Sequence, residues 1–87
     1  MSIDVVKKLI GLPLADEDID IVRLYLEEAL KLEVLWRKDG KCYDDKCESE
    51  YIVKADKCYK VIAVIDTDEA VVTDVKYTEI PQHFCEL

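Results

Sequence analysis

The hydrophobic period of this 87-residue chain changes once, near Asp39-Gly40. Before that point apolar residues recur every three to four positions, and after it they recur every two. Consecutive strands with short connections, preceded by helices, predict an α+β fold. Two N-terminal helices would pack on one face of a three- to four-stranded antiparallel β-meander, giving two layers. Gly11, Gly40, Pro13 and Pro81 are the only glycines and prolines, and each reads as punctuation between elements. There is no internal repeat and no linker-like stretch, so residues 1–87 read as a single small domain.

The first helix is expected over 2–10. Ser2 is a good N-cap, Asp4 sits at the positive end of the dipole, and Lys7 and Lys8 sit at the negative end. Ile3, Val6, Leu9 and Ile10 fall on one stripe. Gly11 can adopt the left-handed conformation that ends a helix, and Pro13 blocks its resumption. The second helix is expected over 16–35, with Asp16 as N-cap and Glu17, Asp18 and Asp20 near its start. Its stripe is Ile19, Val22, Leu26, Ala29 and Leu30. Tyr25, Leu32 and Trp36 widen that arc into an alternative helix interface for a partner or a second copy. Leu32–Arg37 reads either as its last turn or as a strand, and a fourth strand is open around 34–45. Asp39-Gly40 is the expected stop.

Three strands follow. Tyr51, Val53 and Ala55 alternate with Ile52, Lys54 and Asp56. Residues 59–65 are apolar at almost every position, as in a shielded central strand. Residues 70–78 alternate again, with Val71, Thr73, Val75 and Tyr77 inward. A two-residue loop at 67–68 sets Val64 opposite Val71; a three-residue loop at 67–69 sets Val61 opposite Val75 and Lys60 opposite Lys76. Both registers are open. The tail should leave the sheet at Pro81 and pack Phe84 back onto it.

Charge narrows the function. Twenty acids against twelve bases give a net charge of −8. Residues 1–43 hold nine acids and seven bases, while residues 44–87 hold eleven and five. The negative field therefore concentrates in the C-terminal half. Direct nucleic-acid binding is disfavoured, because it rests on Lys and Arg neutralising phosphates. No apolar run reaches the roughly 18 residues of a membrane span. The N-terminus lacks a basic stretch followed by an apolar region, so a cytoplasmic, intracellular location is expected, without a membrane.

Four cysteines, Cys42, Cys47, Cys58 and Cys85, leave three readings open: free or buried thiols, one or two disulfides, or a zinc site. A C-x-x-C redox motif is absent. The one His, His83, lies near the C-terminal end, and no phosphate loop, nucleophile elbow or zinc-protease helix occurs. An enzyme is not expected, nor is a cofactor. The acids form three clusters. Asp16-Glu17-Asp18 with Asp20 is accounted for by helix capping, and Asp66 with Asp68-Glu69 by turn preference. Asp44-Asp45 with Glu48 and Glu50 has no such local reason. Together Asp44, Asp45, Glu48, Glu50, Asp66, Asp68 and Glu69 are the expected partner-binding residues. They suit a non-enzymatic acidic module, such as a phage-type inhibitor, that covers the basic, nucleic-acid-binding surface of a protein partner. A small structural or assembly protein such as a virion component, a homodimer, and a zinc- or disulfide-stapled adaptor are the alternatives.

Two stretches resemble known families. LIGLPLADEDIDIVRLYLEEAL resembles the opening helices of phage head–tail connector proteins, which implies continued helix and a role in assembly. Two helices followed by YKVIAVIDTDEAVVTDV are similar to the end of RelE-type toxin folds, which implies a ribonuclease acting through Arg and Lys. This chain departs from that pattern, being acidic with only Arg23 and Arg37.

Overall fold

A computed structural model describes residues 2–14 and 19–86. Four antiparallel strands dominate it: β1 Glu33–Tyr43, β2 Lys46–Lys54, β3 Cys58–Asp66 and β4 Val71–Glu79, in spatial order β1-β2-β3-β4. The expectation of two helices on a sheet is overturned. The chain is mostly sheet, with one short helix of 9 residues and 3₁₀ turns.

The first segment is a 3₁₀ helix, Ile3–Leu9, capped by Ser2, whose hydroxyl accepts from the Asp4 N–H. Ile3, Val6 and Leu9 are its buried residues. Their strict spacing of three is what a 3₁₀ helix stacks into one row, since residues i and i+3 eclipse. Ile10, the fourth member of the expected stripe, is exposed. Gly11 takes φ 90, the left-handed conformation read from the sequence. The chain then runs beside β4. Gly11 N–H donates to Val72 O at 2.7 Å, and Leu14 N–H to Ala70 O at 2.8 Å. Lys7 also donates to Val75 O, and the Asp74 carboxylate accepts from Val75 N–H. Much of that exposed strand edge is thereby closed.

The long second helix shrinks to α1, Ile21–Leu24, which widens into a π-helical turn at Tyr25–Ala29. Its N-cap is Asp20, which accepts from Arg23 N–H at 3.0 Å. Asp16, Glu17 and Asp18 lie outside the described residues. The helix ends where Leu30 N–H reaches Tyr25 O and Leu32 N–H reaches Leu26 O, with Lys31 at φ 58. Leu30, Leu32 and Val34 are all buried. That period of two carries the chain into β1, the strand left open by the sequence.

β1 does not stop at Asp39-Gly40. A bulge there passes Gly40 against Glu48, where a Cβ would meet the Glu48 Cβ and carbonyl oxygen at 3.0 Å. Only glycine allows that approach without displacing its neighbour. The turn falls at Asp44-Asp45 instead. The alternative helix interface is also overturned. Leu32 is in the core, Tyr25 packs partly against it, and Trp36 lies on β1, exposed beside Ile52.

Tyr51 and Val53 from β2, Val61 and Ala63 from β3, and Val72 and Val75 from β4 form the buried face of the sheet, under the two helical segments. The β3–β4 register matches neither expected loop. The turn spans four residues, 67–70, and Val61 faces Tyr77 while Lys60 faces Thr78. This avoids the Lys60–Lys76 clash. A shift between Val64 and Ile65 puts Val72, rather than Val71 or Thr73, in the core. After Pro81 a 3₁₀ turn, Gln82–Cys85, anchors the tail through buried Cys85. Phe84 is exposed against His83 rather than packed on the sheet.

All four cysteines pair, Cys42 with Cys47 and Cys58 with Cys85. The zinc reading and the free-thiol reading are overturned, because no thiolate is left to bind metal.

Candidate functional site

The antiparallel meander puts the β1–β2 turn and the β3–β4 turn at the same end of the sheet, since Lys46 faces Asp66 across β2 and β3. Asp44 takes φ 55 in the first turn, a left-handed conformation that Asp tolerates. In the second, Asp66 Oδ1 accepts from Asp68 N–H at 2.9 Å and from Glu69 N–H at 3.0 Å. Such an Asx arrangement is why Asp favours turns. The two turns are tied directly. Thr67 donates to Asp45 O twice, from its N–H at 2.7 Å and from its hydroxyl at 2.9 Å.

This tie gathers Asp44, Asp45, Asp66, Asp68 and Glu69 at one end. Carboxylate oxygens of Asp45, Asp66 and Asp68 lie within 4.8 Å of one another. Among the described residues of the two turns, one ion pair offsets them, Lys46 Nζ to Asp66 Oδ2 at 3.2 Å. The N–H of Glu69 is the largest influence holding the Asp66 carboxyl below its ordinary range, with Lys46 and the Asp68 N–H adding to it. Lys46 is correspondingly raised by its bond to Asp66. These three acids are the grouping that could hold a hard cation. Asp66 is already committed to two N–H groups and an ammonium.

The other expected carboxylates are placed apart. Glu48 and Glu50 lie farther along β2, on the face away from the core. Glu50 sits between Lys38 and Lys60, each 3.6 Å away, and is mostly shielded. It is a sheet ion-pair partner rather than part of the acidic end.

A groove of about 490 Å³ adjoins the β3–β4 turn and shares Thr67 and Ala70 with it. Leu14, Ile19, Ile21 and Ile65 give it apolar walls. Tyr51 enters it from β2, its hydroxyl donating to Asp20 Oδ1 at 3.0 Å. Arg37 Nε donates to Asp20 Oδ2 at 2.7 Å and Arg37 Nη2 to Asp39 at 2.8 Å. Burial pushes the Tyr51 phenol well above its ordinary range. Asp20 adds to that rise and the bond to Arg37 opposes it. Burying an aromatic ring whose hydroxyl has partners is favourable, and it ties α1 to β2. The sequence shows Tyr51 in an alternating strand but not Asp20 and Arg37 around it, because those contacts join residues far apart in the chain. Ser49, buried beside Tyr51, is likewise part of this groove and was not foreseen.

Among the described residues no helix is long and apolar enough to cross a membrane. No family model, curated protein or solved structure matches the chain, and neither of the two family resemblances gains support.

Proposed function

We propose that this protein is a non-enzymatic interaction module that docks a basic segment of a partner protein on the acidic end of its sheet. The observation that carries this reading is the pair of bonds from Thr67 to Asp45 O, which hold two acidic turns side by side. Fixed, like-charged carboxylates repel one another, and a cationic partner relieves that repulsion. The adjoining apolar groove suits a non-polar side chain next to the basic residues, so the segment would combine Lys or Arg with an apolar anchor. Two disulfides in so small a chain favour an oxidising compartment over the cytoplasm expected from the N-terminus.

An oligolysine peptide titrated into the protein tests the reading. Amide shifts are expected to concentrate in residues 43–46 and 66–70, and affinity is expected to fall as salt rises. Shifts scattered over the whole sheet, or affinity indifferent to salt, would contradict it.

A further inference from the structure

The two disulfides differ in their access to solvent. Cys58 is fully buried and Cys85 nearly so, whereas Cys42 is exposed and Cys47 half-exposed. They differ also in what they hold. The β1–β2 ladder is interrupted between Asp39 and Cys42, and past that bulge only Cys42–Cys47 and Tyr43–Lys46 remain paired before the turn. The disulfide therefore staples a tip two residue pairs long, cut off from the rest of the ladder by Gly40 and Lys41. That tip carries Asp44 and Asp45, and Asp45 O is the atom to which Thr67 is tied.

We propose that Cys42–Cys47 is a reversible thiol–disulfide exchange site, reduced by a dithiol while Cys58–Cys85 stays closed, and that its opening loosens the acidic end. The regulatory half rests on the docking reading above; the exchange site itself does not. A thiolate of the dithiol attacks Sγ of the more exposed Cys42. The sulfur–sulfur bond breaks, Cys47 leaves as a thiolate and takes a proton, and a mixed disulfide forms on Cys42. The second thiol of the reductant then displaces Cys42, which takes the second proton, and the reductant departs as its own disulfide. Two electrons and two protons pass to the protein. Attack on Cys58–Cys85 requires the tail turn to lift from β2 and β3 first, so it waits on local opening.

With the staple open, the β1 half of the tip is held by two residue pairs next to a bulge, too few for stable pairing alone, while Lys46 and Cys47 stay paired with β3. The tie from Thr67 to Asp45 then has a mobile acceptor, and the carboxylates lose their fixed spacing.

The oxidised full-length chain, exposed to rising dithiothreitol under native conditions and quenched with iodoacetamide, reads the first claim by peptide mapping. Cys42 and Cys47 are expected to be alkylated at least about tenfold faster than Cys58 and Cys85. A common rate for all four, or earlier release of Cys58 and Cys85, overturns it. Amide exchange of the selectively reduced protein, or of the Cys42→Ser/Cys47→Ser variant, reads the second. Exchange over 41–44 should rise at least about tenfold while 58–66 is unchanged; unchanged exchange over 41–44 overturns the loosening. Oligolysine should bind the half-reduced protein several-fold more weakly than the oxidised one. Equal binding overturns the regulation alone. Binding by neither form overturns the docking reading and the regulation with it, while the order of thiol release still judges the exchange site.

Discussion

The two ends of the sheet are stapled in opposite ways. At one end Cys58–Cys85 is buried and closes 26 intervening residues, tying the tail to the central strands. At the other Cys42–Cys47 lies near the surface, closes four residues, and holds a hairpin tip that carries charge rather than core. The first bond restricts a large part of the unfolded chain. The second restricts little of it and instead fixes the shape of a surface. A disulfide's contribution to stability and its contribution to function need not go together, and here they separate along one sheet.

Removing the bonds one at a time gives the sharpest break. Chain-entropy reasoning assigns about 3.5 kcal/mol to the longer loop and about 2 kcal/mol to the shorter. Cys58→Ala with Cys85→Ala should therefore lower the denaturant midpoint much more than Cys42→Ala with Cys47→Ala. Equal losses would erase the distinction between the ends. A smaller effect is expected for Asp20→Ala, which removes the cap of α1 and the shared acceptor of Tyr51 and Arg37. A loss of about 2 kcal/mol in chemical denaturation follows.

The smallest effect is set by pH at the acidic end. Asp66 has its folded-state pKa held below 3.8, so its stabilisation is present above 3.8 and is lost as pH falls through the folded value. Lys46 is raised above 10.5, so its share is present below 10.5 and is lost as pH rises through its own folded value. The Lys46–Asp66 ion pair thus holds across the whole neutral range. Comparing Asp66→Asn with the parent protein isolates the acid limb. The parent should lose slightly more stability than the variant on passing below 3.8. Parallel losses would show that Asp66 is not differentially bound in the folded state.

Strands were more legible in this sequence than helices. Tyr51 and Val53 alternate with charged or half-exposed neighbours, and that pattern located the inner face of β2. The same period of two at Leu30, Leu32 and Val34 was masked by a helical stripe through the preceding residues, so a long helix was expected where a nine-residue one turns into β1. Ile3, Val6 and Leu9 were legible as buried within a helical stripe that also included Ile10; the segment forms a 3₁₀ helix, whose spacing of three leaves Ile10 exposed. Gly40 read as a turn because Asp-Gly is a strong turn signal, yet its role is the close approach to Glu48 inside a bulge. That role depends on a strand eight residues away and is invisible locally. For the acidic end, the residues of both turns were readable. Their convergence depends on β2–β3 register and on Thr67, which has no motif. Glu50 is equivalent to Asp44 in the sequence, and only its ion pairs with Lys38 and Lys60 separate the two. The cysteine pairing likewise follows from where the tail returns, at Cys58 between Lys57 and Tyr59.

Charge placement, rather than total charge, is the core of this account, and matched variants test it. Asp44→Asn, Asp68→Asn and Glu69→Gln remove three charges from the acidic end; Glu28→Gln, Glu33→Gln and Glu86→Gln remove three exposed charges elsewhere. Oligolysine affinity measured at one ionic strength should fall about tenfold or more in the first set and change little in the second. Equal losses in the two sets would show that the partner senses only net charge, and would contradict a docking surface at the acidic end of the sheet.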